Sequence, residues 1–288
     1  MPTTTTRDAV VAHETVETHV DRTPLTLKHV LHNRWLLYIL SLTAFFAVWE
    51  LMARTGSKGG ASTLASPLEV IREIVFLANN KLAQKTLWGH AWDSTRRVFI
   101  GFSIASVIAV PLGLFMALNR YVNAVVKPLF DLFKPMPPIA WTSLSILWFG
   151  IGEGSKVFII VIGTFVPCLL NAYNGVRLVD PELYDVIRTL GGSRRDEILH
   201  VCFPAAFPAI FAGLQISLSI AWSCVLAAEL ISSRSGLGFI IVRGMKLSQP
   251  EIVIGGMIVI AVAAWGTTLL VMALESVLCP WKRKIAGQ

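Results

Sequence analysis

Apolar residues along this chain gather into runs long enough to cross a lipid bilayer, with the polar residues collected between them. Five runs are clear: Trp35–Ala53, Val98–Leu118, Val157–Tyr173, Pro208–Ile231 and Ile252–Leu274. A helix needs about 20 such residues to cross the hydrocarbon core, so each run is expected to span or nearly span it. A sixth span is expected in Val126–Phe149, where Lys127, Asp131, Lys134 and the prolines Pro128, Pro135, Pro137 and Pro138 interrupt the pattern. Broken backbone at membrane depth survives only inside protein or along a wet cavity, which makes this segment a candidate pathway element. The expected fold is all-α and polytopic, with about six transmembrane helices.

The same pattern divides the chain into a polar tail (1–34), a first transmembrane anchor (35–53), a long extracytoplasmic loop (54–97), a core bundle (98–279) and a short basic tail (280–288). The first tail is Thr-rich and has no apolar core with a cleavage site, so the first span reads as an uncleaved anchor. In the long loop, Ser66-Pro67-Leu68-Glu69 has the spacing of a capping box and predicts an amphipathic helix through about Asn79. Within the second span, Gly101, Ala105, Ala109, Gly113 and Ala117 recur every four residues, a small-residue stripe that lets another helix approach closely. Packing inside one subunit is the expected use of that stripe, and a dimer seam is the alternative.

Composition agrees with the pattern. Of 288 residues, 54% are hydrophobic and 15% charged, and the mean hydropathy is +0.64, far from an ordinary soluble domain. The formal charge of +7 is dispersed at the ends of spans rather than gathered with aromatics, so membrane-flanking charge explains it and nucleic acid is not an expected partner. With six spans, the basic residues Arg120, Lys127, Arg177, Arg188, Arg194, Arg195 and Lys282-Arg283-Lys284 are expected to place both termini and the interval 180–204 on the cytoplasmic side of the membrane. The cysteines Cys168, Cys202, Cys224 and Cys279 are far apart and suggest neither a disulfide framework nor a metal site. No phosphate-binding G-x-x-x-x-G-K-[ST] loop, zinc spacing or G-x-S-x-G elbow occurs, so no catalytic residue, metal or cofactor is expected on this chain.

The most informative interval is Asp180–Pro204, DPELYDVIRTLGGSRRDEILHVCFP. Asp180 predicts an N-cap with Pro181 at the first helical position, Gly191-Gly192 predicts the end of a short helix, and a second helix is expected from near Ser193. A chain reversal alone needs far fewer residues, so a surface for another protein is expected, with an interfacial helix lying on lipid as the alternative.

This interval resembles the cytoplasmic coupling loop of ABC importer permeases, whose pattern is Glu-Ala-Ala, three residues, Gly, nine residues, Ile-x-Leu-Pro. Asp185-Val186-Ile187 stands at Glu-Ala-Ala, Gly191 at the Gly, and Val201-Cys202-Phe203-Pro204 closes it with the Pro in register. Lys134-Pro-Met-Pro-Pro-Ile-Ala-Trp141, Leu147-Trp-Phe-Gly-Ile-Gly-Glu-Gly-Ser-Lys156 and Trp222-Ser-Cys-Val-Leu-Ala-Ala-Glu-Leu-Ile231 followed by Gly236-Leu-Gly238 resemble the nitrate, sulfonate, taurine and bicarbonate class. The second block resembles taurine and aliphatic-sulfonate permeases more than nitrate ones. The resemblance covers roughly 85–285 and implies the type I importer fold. It also implies ATPase subunits that bind ATP and Mg, an extracytoplasmic solute-binding protein and a second permease copy in a homodimer within membrane lipid. On it rest Asp185, Arg188, Gly191, Gly192 and Pro204 as residues that meet the ATPase.

Candidate path or gate residues come from polar and aromatic groups at membrane depth: Glu229, Ser223, Gln215 and Trp141. An isolated Glu229 needs water or a partner, and a structural salt bridge explains it equally well. Asp131 and Lys134, three apart, are explained by a local ion pair. An ion-coupled secondary transporter is the alternative function, and a membrane-embedded enzyme lacks a convergent catalytic group.

Overall fold

The computed structural model describes residues 34–56 and 64–280. The expected polar and basic tails therefore lie outside the described residues. The chain divides into two units after Leu51. In the first, the described residues belong to α1 (Arg34–Gly56), which is apolar around its circumference, with Phe45, Phe46 and Trp49 in mutual ring contact. A helix apolar on every side is suited to lipid contact.

The second unit is a helical bundle. It comprises α2 (Pro67–Asn79), α3 (Leu87–Leu118), α4 (Arg120–Phe133), a 3-10 turn (Pro138–Trp141), α5 (Thr142–Phe149), α6 (Glu153–Arg177), α7 (Pro181–Thr189), α8 (Arg194–Asp196), α9 (Phe203–Ser232), α10 (Leu237–Leu247) and α11 (Pro250–Leu278). With α1, α3, α6, the continuous helical run 194–231 and α11, five described helices are long and apolar enough to cross a membrane. The expected sixth span, Val126–Phe149, is instead built from α4, the turn and α5, because Pro135, Pro137 and Pro138 remove donors and fix φ between them. The apolar piece Pro138–Phe149 is a short helix rather than a full crossing.

Two other boundaries differ from the hydropathy reading. Helix α3 starts at Leu87, well before the apolar run at Val98, because the polar residues of its first turns, His90, Ser94 and Arg97, are buried and partnered. The interval expected to close at Pro204 runs straight into α9 through a π-helical segment, Glu197–Cys202. Pro204 cannot donate to the carbonyl four residues earlier, and a widened turn just ahead of it absorbs the missing bond. The capping box of α2 forms as the spacing predicts, with Ser66 N–H donating to Glu69 at 2.7 Å and Glu69 N–H to Ser66 Oγ at 3.3 Å.

Packing centres on α6, which lies between α3 and α9. The small stripe of α3 faces α6: a Cβ on Gly101 would come within 2.6 Å of Ile160, and one on Gly113 within 2.5 Å of the Leu169 carbonyl oxygen. The stripe therefore serves packing within one subunit, and it brings backbone against backbone, the mode that substitutes for a hydrophobic drive in lipid. Toward α10 and α11 the core is built from Val98, Ile159, Leu218, Trp222, Leu237 and Ile240. Toward the 180–204 interval it is built from Ala172, Val176, Cys202, Ala206 and Ile210. The four cysteines Cys168, Cys202, Cys224 and Cys279 are all buried.

Gly113→Val is expected to lower the thermal midpoint of the purified protein, because a backbone carbonyl cannot step aside as a side-chain end would. Overpacking of this kind costs about 1–3 kcal/mol. Gly266→Ala, whose Cβ would meet nothing within 4 Å, should leave the midpoint unchanged or raise it.

Candidate functional site

Polar chemistry concentrates at two places on opposite ends of α6 and α9. The first begins with the start of α10, which has no N-cap side chain of its own. Its orphan N–H groups are satisfied from other helices. Gly236 N–H donates to His90 Nδ1 at 3.1 Å, Leu237 N–H to Ser94 Oγ at 2.8 Å, and Gly238 N–H to Glu229 Oε2 at 2.9 Å. With Nδ1 accepting, the His90 proton sits on Nε2 and points at the Leu82 carbonyl, 2.9 Å away. Gly236 reaches this position with φ +117°, and a Cβ there would strike the Glu229 carboxylate. The close fit requires glycine on both counts.

Glu229 in turn meets Arg97, whose Nη1 donates to it at 2.6 Å. Arg97 Nε and Nη2 donate to the two oxygens of Glu153 at 2.7 Å each, and its remaining donors reach the Ser235 carbonyl and hydroxyl oxygens at 3.0 Å. Lys156 Nζ adds a longer contact of 3.4 Å to Glu153. Side-chain exposure is 4% for Arg97, 1% for Glu229 and 5% for Lys156, but 59% for Glu153. Every donor of the guanidinium is used, and three helices and the loop leading into α10 meet on it. Glu229 is thus a member of a closed ion-pair cluster, the salt-bridge alternative of the sequence reading.

The second place is the 180–204 interval. Asp180 caps α7 by accepting from Glu182 N–H at 3.0 Å, with Pro181 in the first turn. The helix closes in a Schellman arrangement: Gly191 N–H donates to Arg188 O at 3.0 Å, Gly192 N–H to Ile187 O at 2.9 Å, and Gly191 has φ +77°. Ser193 then opens α8 in a capping box with Asp196. The two glycines serve different needs. Gly191 has open space and a left-handed backbone, whereas a Cβ on Gly192 would collide with Ile187. Arg188 ties the halves together through Glu197 at 2.7 Å and lies 3.5 Å from Asp185. Glu197 also holds the Arg188 guanidinium more firmly protonated than usual. Tyr184 seats α7 on the Ala172–Ile210 cluster, and burial pushes its phenol up to about 12, so it stays neutral. On the other face Leu183, Val186 and Leu190 are exposed, at 47%, 56% and 82%.

The remaining sequence candidates scatter. Gln215 donates to Glu275 at 2.7 Å, an intramembrane pair on neighbouring helices. Ser223 bonds its own helix at the Ser219 carbonyl, 3.4 Å away. Trp141 lines an apolar cavity of about 680 Å³ with Val126, Phe130, Phe133, Phe165 and Ile220. Asp131 pairs locally with Lys127 and Lys134, at 2.5 and 3.3 Å. None of Gln215, Ser223 and Trp141 contributes a bond to the Arg97 cluster. Arg97, Glu153, Ser94, His90 and Glu197 were not among the sequence candidates. A signal for Arg97 existed, because the four-residue stripe extended one step back from Gly101 lands on it.

Residues 109–284 match the model of the family described as binding-protein-dependent transport system inner membrane component. The chain belongs to this family. It is 32% identical to the taurine transport system permease protein of Escherichia coli, covering 86% of this chain and 90% of that one. It is also 32% identical to an aliphatic sulfonates transport permease protein of Bacillus subtilis, covering 88% and 90%. With the bicarbonate transport system permease protein of Synechococcus elongatus it is 33% identical over 72% of this chain and 76% of that one. A solved amino acid ABC transporter with histidines has the same fold, with a TM-score of 0.54 at 16% identity over 75% of this chain and 98% of that chain.

Removing one member of a buried ion pair leaves the other uncompensated, at a cost of about 3–5 kcal/mol. Arg97→Ala should therefore strongly reduce stability in detergent. Arg97→Ala combined with Glu229→Gln should cost less than the two single changes summed, because neither charge is then stranded. Additive losses in thermal or denaturant unfolding would show that the two residues do not act as a pair.

Proposed function

We propose that this permease is the path-forming subunit of an ATP-driven importer for a small oxyanion of the sulfonate or taurine type, with nitrate and bicarbonate next. The observation that carries the reading is the exposed stripe Leu183, Val186 and Leu190 on a helix held rigidly outside the spans. Apolar side chains three and four apart on an otherwise polar helix form one face, and such a face on a structured loop fits a groove in a partner protein. The partner fitting a member of this family is an ABC ATPase, which binds ATP and Mg while this chain does neither. The substrate class follows the names of the taurine, sulfonate and bicarbonate relatives.

The mechanism follows from stiffness. Closure of two ATPases moves α7; Arg188, the Gly191-Gly192 turn and Tyr184 pass that displacement to α6 and α9, and the bundle alternates its access. A solute-binding protein delivers the substrate at the opposite end, and two permease copies enclose the path. Both termini and the 180–204 interval face the cytoplasm in this reading.

Leu183→Asp and Leu190→Asp should each insert normally but reduce copurification of the ATPase, since a carboxylate in an apolar dock is left unpaired. Gly191→Val carries a left-handed backbone penalty of about 1–2 kcal/mol, and Gly192→Val a clash with Ile187. Either should uncouple ATP hydrolysis from uptake, and full assembly with coupled uptake in all four variants would refute the docking role.

Orientation is read separately. In a background without cysteines, a thiol at Ser193 should be protected from an impermeant reagent in intact cells, whereas one at Arg234 should react. Both positions are exposed, so burial does not explain a difference. The reverse pattern inverts the topology.

A further inference from the structure

The Arg97 cluster contains two kinds of carboxylate. Glu229 is enclosed and held by Arg97, Ser94 and the Gly238 N–H. Glu153 sits at the first position of α6, has more than half its side chain in the open, and among the described residues is held by the two cations Arg97 and Lys156. Backbone on its N-terminal side is uncrowded: a Cβ on Gly150 or Gly152 would meet nothing within 4 Å. Lys156 is almost fully enclosed, and Glu153 is the one ion-pair partner described for it. Glu229 already matches the charge of Arg97. The arrangement therefore sets two buried cations, one charge beyond what Glu229 matches, against an exposed, tethered carboxylate.

We propose that the Nε/Nη2 edge of Arg97 and Lys156 Nζ form an oxyanion site at the end of the bundle away from the 180–204 interval. In this conformation Glu153 occupies the site as an internal substitute for the ligand. The guanidinium edge offers two parallel N–H groups, the geometry that receives any group presenting two oxygens on one edge, such as a sulfonate, sulfate or carbonate. Lys156 Nζ lies 3.4 Å from the same Glu153 oxygen that Arg97 Nη2 holds, so it places a second cation beside that oxygen of the ligand. When Glu153 swings outward, the site keeps its two cations and Glu229, a net positive charge that favours a small anion. This assignment rests on the small-oxyanion reading of the function and gives that substrate a station on the chain itself.

A tethered carboxylate competes at an effective concentration of order millimolar or above, so the wild-type site takes up free anion weakly. Glu153→Gln keeps the shape and removes the competitor. The experiment is thermal unfolding of the purified full-length chain in detergent, titrated with sodium sulfate, sodium bicarbonate or sodium methanesulfonate against sodium chloride at matched ionic strength. Half-maximal stabilisation by sulfate should occur at about tenfold lower concentration or less in Glu153→Gln than in wild type. Glu153→Gln/Lys156→Gln should lose that gain. Should Glu153→Gln fail to fold, Glu153→Asp, shorter by one methylene and unable to reach the fork as well, should show a smaller gain in the same direction.

An equal sulfate response in wild type and the folded variant, or an undiminished gain in the double variant, overturns the site. Binding is read without transport, so the outcomes separate. A sulfate gain in purified Glu153→Gln, where the assembled complex imports a different class of substrate, retains the site and discards the substrate reading. Measured sulfonate import with no gain in Glu153→Gln does the reverse.

Discussion

The rest of the bundle depends on one buried guanidinium. Arg97 lies in the third turn of α3, nearly sealed from solvent, where an unpaired charge would cost several kcal/mol. The fold compensates it with a carboxylate from α9, a second from α6 and both oxygens of Ser235. Because each partner comes from a different stretch of chain, meeting that electrostatic demand fixes where α3, α6, α9 and the entry to α10 lie relative to one another. Lipid supplies no hydrophobic drive between apolar helices, so a polar lock of this kind confers a specificity that apolar contact alone lacks.

Around the lock, packing is governed by how closely backbones approach. The stripe of α3 meets α6 along Gly101, Ala105, Ala109 and Gly113, and small residues again line the contact where α6 meets α9, at Gly175 and Ala206. Helix α6 is the common member of both contacts. Its 25 residues run about 37 Å from Glu153, inside the ionic cluster, to Arg177, beside the 180–204 interval. Helix α9 runs the opposite way between the same two places. The polar lock and the 180–204 interval thus sit at opposite ends of the same two helices.

Much of this was legible in the sequence because the signals were local. The capping box at Ser66 and Glu69, the cap at Asp180, the left-handed Gly191 and the restart at Ser193 each depend on a few neighbouring residues, and each forms where its spacing indicates. The small-residue stripe of α3 was equally plain. Less legible was what depends on distant partners. Glu229 was visible as a carboxylate in need of a partner, but Arg97 lies 132 positions away and was counted among the charges of a loop. Hydropathy placed the start of the second span at Val98 because it scores His90, Ser94 and Arg97 as polar, although all three are buried by partners that a linear window does not contain. Val126–Phe149 was legible in part: its prolines marked broken backbone, and they divide it into two helices and a turn in place of one continuous span.

The contrast between the two ends of α9 bears on how such a bundle moves. Near the loop, α9 begins after a π-helical segment and contains Pro208 four residues beyond Pro204. Both features weaken the backbone ladder there. At the other end, Glu229 is held by charge-assisted bonds of 2.6 to 2.9 Å from Arg97, Ser94 and the backbone of α10. A force applied at the loop therefore meets its softest resistance close to where it is applied and its stiffest at the ionic lock. Within that lock the arm most open to solvent is Glu153, which is bonded to Arg97 but not enclosed by it. A rearrangement that preserves the buried Arg97–Glu229 pair is most readily accommodated at the Glu153 contact, provided that another negative charge takes the carboxylate's place, because the enclosed Lys156 is otherwise stranded along with that edge of Arg97.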